Sequence, residues 1–268
     1  MKRVPLLAIA TSLLSPARID AQARFETIYE FASLPDGSAP QGLAEGPKGG
    51  HRAQRRRRHL WSHHIWRILG PRHCLRPRLY GMTAYGGSAN YGTVFQLTPP
   101  ASHAGRWSES ILFEFTNPNY GGGGTNPFSA PVVGKDGSIY GATGGISVIF
   151  QLQPPATTGG TWTETVLYPT SEDYPAAGFT HGLIVGPNGE LYAAASVGGY
   201  YGCGAVVGLT PPSVSGKWSV SMEYDFPGGN TGCKPAGIAL SADGVIYGVT
   251  TYGGSSGQGI VFALASTA

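Results

Sequence analysis

Acidic, histidine and cysteine side chains could support acid–base, metal or redox chemistry, and this sequence has few of them. Of its seven histidines, only His103 and His181 lie outside residues 51–78, too few for a histidine-based metal site. Asp136 and Asp243 belong to Asp-Gly turns, which backbone geometry already explains. No G-x-S-x-G elbow, P-loop or H-E-x-x-H motif is present. The sequence therefore predicts no catalytic residue, no metal site and no cofactor.

Three carboxylates, Glu30, Glu114 and Asp225, recur at one position beside aromatic residues. Recurrence in successive units indicates a structural role, because catalysis requires unequal groups that converge on one point. One alternative is a secreted carbohydrate-active hydrolase or lyase. In such an enzyme, Glu or Asp residues from different units would meet about 5–10 Å apart in a deep central pocket.

An internal repeat positions these residues. Trp107, Trp162 and Trp218 lie 55 and 56 residues apart, and Pro-Pro pairs keep the same interval. This period is too long for leucine-rich or ankyrin repeats and fits a four-stranded propeller blade. The chain contains 42 Gly and 21 Pro, and only 12% of its residues are charged. This composition excludes a helical protein and a disordered polyelectrolyte.

Each unit divides into four short strand candidates. In the unit that follows Trp107 the first three are residues 111–115, 130–134 and 139–143, and residues 92–97 show the fourth in the preceding unit. The Asp-Gly and Asn-Gly turns between second and third strands are strong hairpin signals. We expect an all-β, propeller-like array of four-stranded antiparallel blades. It would have four to five units, one or two of them damaged, and the mature chain would open on a first strand and end on a fourth.

The third and fourth strands carry a resemblance to a known family. Residues 79–87 read LYGMTAYGG and residues 92–95 read GTVF, and the pattern recurs at Tyr140, Tyr192 and Tyr247. It resembles the Gloeo/Verruco ("GloVer") tandem repeat of secreted bacterial proteins, which often carry one of several alternative C-terminal surface anchors. The Tyr140 copy lacks about half of its Gly-Gly loop, and no anchor is recognised here. The resemblance implies a propeller-like fold and an extracellular or cell-surface location, and it carries over no catalytic residues.

The N-terminus has the parts of a secretory signal peptide. It combines a basic start, an apolar run over residues 4–14 and an A-x-A site at residues 21–23. We expect a signal peptide over residues 1–23 and an exported repeat domain over residues 24–268. No later apolar run reaches about 18 residues, so we expect no membrane span.

Three cysteines, Cys74, Cys203 and Cys233, form no C-x-x-C pair, so the spacing of a structural zinc site is absent. In the repeat map Cys203 falls between a third and a fourth strand. Cys233 falls between the first and second strands of the next unit, on the same face. We therefore expect a Cys203–Cys233 disulfide after export, with two free thiols as the alternative.

Residues 51–78 break the repeat with nine arginines, five histidines and no acid. An arginine cluster would neutralise phosphates in a nucleic-acid site. Shifted by one base, however, its codons permit Tyr-Gly and Gly-Thr-Val-Phe strings at the repeat spacing, with glycine forced at Trp61 and Trp66. We interpret residues 51–76 as a frame-shifted repeat, which also supplies the positive net charge of +3. We expect no nucleic-acid partner; a genuine basic insertion and a decayed gene without a working fold are the alternatives.

The loop face that holds the cysteines is rich in tyrosine. Its tyrosines are Tyr85, Tyr91, Tyr120, Tyr200, Tyr201 and Tyr252. Exposed aromatic rings stack on sugars or contact protein partners, whereas tyrosines packed within glycine-rich loops would be structural. The leading interpretation is a secreted, monomeric, non-enzymatic binding or scaffold module for a glycan or a surface protein.

Overall fold

Strands make up the regular structure of the chain, as its turn-rich sequence predicts. The computed structural model describes residues 38–45, 78–100, 105–116, 124–144, 147–169, 176–179, 183–214 and 216–265. Within these ranges there is no α-helix, and a 3-10 helix spans Gly229–Thr231. The strands are β1 Ser38–Glu45, β2 Leu79–Tyr85, β3 Thr93–Thr98, β4 Ser108–Glu114, β5 Val132–Val133, β6 Ile139–Ala142, β7 Val148–Gln153, β8 Thr163–Pro169, β9 Leu183–Val185, β10 Leu191–Ala195, β11 Ala205–Thr210, β12 Ser219–Asp225, β13 Cys233–Leu240, β14 Ile246–Tyr252 and β15 Val261–Leu264.

The strands form four antiparallel sheets in which each strand pairs with its neighbour in the chain. Three sheets have four strands each, β1–β4, β5–β8 and β9–β12, and the fourth comprises β13–β15. The first strands of successive sheets contact each other, β1 with β5, β5 with β9 and β9 with β13. The predicted all-β class and the antiparallel four-stranded unit are confirmed, and the sheets follow one another in a propeller-like array.

The structure corrects the predicted starting point of each unit. The strand after each tryptophan is predicted to open a unit, but β4, β8 and β12 pair with the strand before them and close a sheet. For β4 and β8 the hairpin connections, residues 99–107 and 154–162, are shorter than the links to the next sheet, residues 115–131 and 170–182. For β12 the two connections, residues 211–218 and 226–232, have similar lengths, so length alone does not decide the pairing. A unit therefore begins at β1, β5, β9 or β13. The expectation that the chain ends on a fourth strand is wrong, since β15 is the third strand of its sheet.

The hairpins between first and second strands turn at glycines with positive φ, as their sequences predict. The φ angles are 85° at Gly137, 93° at Gly189 and 86° at Gly244. Asp136 fastens one of these turns, because its carboxylate accepts hydrogen bonds from the Ser138 backbone N–H at 3.0 Å and hydroxyl at 2.8 Å. Asp136 therefore stabilises the turn in which it lies.

The inner strands of the first three sheets are buried on both faces, whereas β14 of the fourth sheet alternates between buried and exposed residues. Unbroken buried runs cover residues 80–84 of β2, 148–152 of β7 and 205–209 of β11. Since alternate side chains of a strand point to opposite faces, such runs mean that both faces of these strands are covered. The Tyr140 and Trp218 rings meet edge to face across one of these junctions, with centroids 6.0 Å apart.

The first two strands of the first sheet are separated by a long stretch of chain. Glu45 of β1 lies opposite Leu79 of β2, although residues 46–78 intervene. The equivalent hairpins of the other sheets use five residues each. The predicted atypical segment 51–78 therefore falls at a turn position. Apart from Arg78 it lies outside the described residues, as does the predicted signal peptide, so its frame-shifted origin stays a prediction.

We expect Gly204→Ala to destabilise the protein more than Gly202→Ala. Both glycines have positive φ, 87° and 76°, so both substitutions strain the backbone. A Cβ at Gly204 would also press against the Ala195 carbonyl oxygen and lie 2.8 Å from Pro235, whereas nothing lies within 4 Å of one at Gly202. Urea denaturation should show an additional loss of at least about 1 kcal/mol for Gly204→Ala. Equal losses in the two variants would contradict this account of the loop.

Candidate functional site

The sheets have two ends of different character. One end, called the turn end here, carries the hairpins between first and second strands and between third and fourth strands. The other, called the loop end, carries the loops between second and third strands and the links from one sheet to the next. The tyrosines and cysteines singled out in the sequence belong to the loop end.

Carboxylates fix the Gly-Gly loops of the loop end. Glu114, at the end of β4, accepts a hydrogen bond at 2.9 Å from the Ser88 backbone N–H of the β2–β3 loop. Asp225, at the end of β12, accepts one at 2.9 Å from the Tyr200 N–H of the β10–β11 loop. Hydrogen bonds from Ser88 hold the pKa of Glu114 below its usual value. These two recurring acids are loop-fastening groups, which agrees with the structural role predicted from their recurrence.

One disulfide and one backbone hydrogen bond join the third and fourth sheets at the loop end. Cys203 of the β10–β11 loop forms a disulfide with Cys233, the first residue of β13, and their Cα atoms are 4.6 Å apart. The Lys234 N–H donates a hydrogen bond of 2.7 Å to the Cys203 carbonyl oxygen. The backbone that carries Tyr200 and Tyr201 is therefore tied to both its own sheet and the next one.

Three of the predicted tyrosines lie beside this junction. Tyr200 is 75% exposed and Tyr201 is 66% exposed, two large rings at the tip of a fastened loop. Tyr252 of β14 lies opposite Cys233 in the register and is 53% exposed. The Lys234 ammonium stands 5.4 Å from the centre of the Tyr252 ring, within cation–π range. We call Tyr200, Tyr201, Lys234 and Tyr252 the tyrosine surface.

The structure does not bring the other predicted tyrosines to this surface. Tyr85 ends β2 in the first sheet and is partly exposed. Tyr91 is half-buried and packs against the core cluster that contains Met82 and Phe115. Tyr120 lies outside the described residues. Tyr91 therefore has the packing role that was the alternative to ligand binding, while Tyr200, Tyr201 and Tyr252 are exposed to a ligand.

A cavity at the turn end was not predicted from the sequence. It has a volume of about 380 Å³ and lies between the turns of the second and third sheets. Its lining includes Lys135, Asp136, Tyr140, Asn188 and Trp218. The Lys135 ammonium bridges the two turns by donating to the Pro187 carbonyl oxygen at 2.8 Å. The repeating tryptophan and Asp-Gly turns were visible in the sequence, but their convergence between neighbouring sheets was not.

The Glu164 carboxyl on β8 is largely buried. Burial raises the pKa of Glu164 on β8 to about 7, and no described residue forms a hydrogen bond with its buried Oε1 atom. The equivalent position of the third sheet is Val220, which shows that the fold does not require an acid there.

Within the described ranges, no group of three or more histidine, cysteine, aspartate or glutamate side chains is arranged to hold a metal ion. In the same ranges no helix is long and apolar enough to cross a membrane.

Removal of the Cys203–Cys233 bond should lower the free energy of unfolding by about 2–4 kcal/mol, because the bond closes a loop of 30 residues in the unfolded chain. The variant is Cys203→Ser with Cys233→Ser, compared with the single variant Cys74→Ser, which should change little. Urea denaturation gives the energies, and peptide mapping under non-reducing conditions identifies the bond. A map in which Cys74 is paired, or in which both loop cysteines are free, would contradict the assignment.

Glu164→Gln should raise the melting temperature at pH 8 and reduce its dependence on pH. The folded-state pKa of about 7 lies above the ordinary value of 4.5. The protonated carboxyl therefore contributes stability below about pH 4.5, and this contribution is lost as the pH rises through 7. Each kcal/mol recovered should raise the melting temperature by about 2–4 °C.

The matched control is Glu190→Gln, since hydrogen bonds from Asn188 stabilise the charged form of that exposed carboxylate. It should bring no gain in melting temperature at pH 8. A melting temperature of Glu164→Gln equal to that of the unmodified protein at pH 8 would show that burial of Glu164 carries no cost.

No family model and no curated protein matches the chain. Similar solved structures include the X-ray structure of a putative gluconolactonase, which is 16% identical with a TM-score of 0.41 over 70% of this chain and 60% of that one. They also include PorZ, an essential bacterial surface component of the type-IX secretion system of Porphyromonas gingivalis. PorZ is 17% identical with a TM-score of 0.42, over 71% of this chain and 24% of its own. The chain thus spans less than two thirds of either protein, and at these scores the likeness indicates no activity.

Proposed function

We propose that this chain is a secreted or cell-surface, non-enzymatic binding protein whose tyrosine surface recognises carbohydrate. The observation that carries the proposal is the exposure of Tyr200 and Tyr201, 75% and 66%, on a loop whose backbone is fastened at two points. One fastening is the Asp225 carboxylate and the other is the Cys203–Cys233 disulfide.

Fastened aromatic rings suit recognition of a sugar for two reasons. Each ring offers a flat apolar face with a hydroxyl at its tip, so it stacks on the C–H face of a pyranose and hydrogen-bonds to its rim. The loop backbone is already held in place, so binding orders little more than the side chains themselves. The Lys234 ammonium beside the Tyr252 ring adds a donor for a sugar hydroxyl or carboxylate.

The arrangement of the acids favours binding over the hydrolase or lyase alternative. An enzyme of that kind needs paired carboxylates in one deep pocket. In the described part of the chain, Glu114 and Asp225 are each engaged with a loop of a different sheet, and Asp136 is engaged with its own turn. Asp136 is also the single acid in the lining of the turn-end cavity.

Three observations support an extracellular or cell-surface location. Residues 1–23 have the pattern of a secretory leader. The structure contains a disulfide, a bond that persists in oxidising compartments. The sequences of the second and third strands of the sheets resemble the GloVer repeats of secreted bacterial proteins. We further propose that the four sheets close into a monomeric propeller of four blades, which is the lower end of the four to five units expected from the sequence.

A glycan array probed with the labelled, secreted full chain tests the proposal. We expect binding to a defined set of glycans and a loss of affinity of at least tenfold, which is about 1.4 kcal/mol, for the double variant Tyr200→Ala with Tyr201→Ala.

The control variant is Val214→Ser, because Val214 is an exposed apolar residue of a turn-end hairpin. It should bind as the unmodified protein does, and circular dichroism should show the same fold in all three proteins. An array without a bound glycan, or an unchanged affinity in the double variant, would refute carbohydrate recognition by this surface.

A further inference from the structure

In the described part of the chain, the fourth sheet has one strand fewer than the other three sheets. In the first three sheets the third strand pairs on its outer side with a fourth strand, β4, β8 or β12. Among the described residues β15 has no such partner. Its backbone therefore presents a row of hydrogen-bonding groups along one side, a feature that proteins ordinarily cover.

Alternate side chains of β15, those of Val261 and Ala263, are exposed. Val261 is 79% exposed, whereas Val94, Ile149 and Val206, which occupy the same position in the other three sheets, are fully buried. All three of those residues lie opposite an aromatic residue of the fourth strand: Phe113, Tyr168 and Tyr224. A strand with an aromatic residue at that position would complete the sheet.

A segment of this chain outside the described residues has the matching sequence. Residues 27–31 read TIYEF, which aligns without a gap to residues 111–115, ILFEF, at the end of β4. The alignment places Tyr29 at the position of Phe113 and Glu30 at the position of Glu114.

The connection to the next strand has the same length as in a sheet that the structure shows. β1 begins seven residues after Phe31, and β13 begins seven residues after Phe226, the residue that follows β12. The register after these connections also agrees, because Pro40 lies opposite Thr83 and Pro235 lies opposite Thr250. The connection from residues 25–31 to β1 therefore matches the connection from β12 to β13 in length and in the register that follows it.

The Gly-Gly loops give an independent reason to expect an acid in this strand. The full loops of the first and third sheets are each capped by a carboxylate, Glu114 on Ser88 and Asp225 on Tyr200. In the second sheet the loop is short, and the position of the acid is taken by Pro169. The fourth sheet has a full loop, whose equivalent backbone N–H belongs to Ser255.

We propose that residues 25–31 form the fourth strand of the fourth sheet, antiparallel to β15, and thereby join the two ends of the repeat domain. In the register of β3 and β4, Tyr29 lies opposite Val261 and Glu26 lies opposite Ala263. The Glu30 carboxylate accepts the Ser255 N–H and caps the last Gly-Gly loop. The proposal does not depend on what the tyrosine surface binds. Tethering to β1 through the six residues 32–37 favours this segment over the edge of a second copy, because the segment is present at a high effective concentration.

Two cysteine pairs that differ by one residue test the register in the secreted full chain, with Cys74→Ser as the common background. Facing residues of antiparallel strands have Cβ atoms about 4.5–5.5 Å apart, close to disulfide geometry, whereas the next residue points to the opposite face. Glu26→Cys with Ala263→Cys should therefore form an intramolecular disulfide. Thr27→Cys with Ala263→Cys should give an at least tenfold lower yield of the intramolecular disulfide.

Peptide mapping under non-reducing conditions reads out both pairs. Equal yields from the two pairs, no bond in either, or a bond between two chains would overturn the proposal; the last result would identify a second copy as the occupant of the edge.

Hydrogen exchange at the Ser255 amide gives a second measurement that needs no engineered bond. Glu30→Ala should speed exchange at Ser255 at least tenfold. Glu26→Ala should leave this rate unchanged, because in the proposed register Glu26 lies opposite Ala263 and away from the Gly-Gly loop. Unaltered exchange in Glu30→Ala would refute the cap.

Discussion

Burial of both faces of the inner strands in the first three sheets is the constraint on which the other features depend. Sheets covered on both sides need side chains whose sizes match across each strand pair, because the interior is close-packed. Gly141 lies opposite Phe150, and a Cβ on Gly141 would approach the Phe150 ring to 2.6 Å. In the third sheet the equivalent pair is Ala193 and Val207. Alanine is larger than Gly141, and the valine that it faces is smaller than Phe150. Such exchanges conserve the volume between sheets while the sequence of the repeat varies.

The same constraint explains which parts of the fold the sequence could predict. Asp-Gly turns, the 55-residue interval and the Gly-Thr-Val-Phe strings identify the individual strands and their antiparallel order. They do not identify the strand that begins a sheet, because a repeat has no starting point of its own. That choice depends on whether the tryptophan strand pairs with its predecessor or with its successor, and both connections are irregular in sequence.

The candidate site was predictable to the extent that it follows from position within a repeat. Cys203 and Cys233 fall on one face in any arrangement of consecutive blades, and the same holds for the tyrosine loops. Whether an individual ring is exposed depends on packing that the repeat does not encode, and Tyr91 and Tyr200 differ for this reason. The cavity beside Trp218 depends on contact between two turns that are about fifty residues apart, which a single unit cannot reveal.

The long connection between β1 and β2 shows that this sheet tolerates many residues between two paired strands. Lengthening the turn from five residues to the 33 residues of 46–78 raises the loop-closure cost by about 1.7 kcal/mol, since that cost grows only with the logarithm of length. The strands on either side of the segment, β1 and β2, still pair. Whatever its origin, the segment enters at the turn end, away from the tyrosine surface. The β1–β2 turn is thus a permissive insertion point, at which a tag or a second domain could be added without touching the opposite end of the molecule.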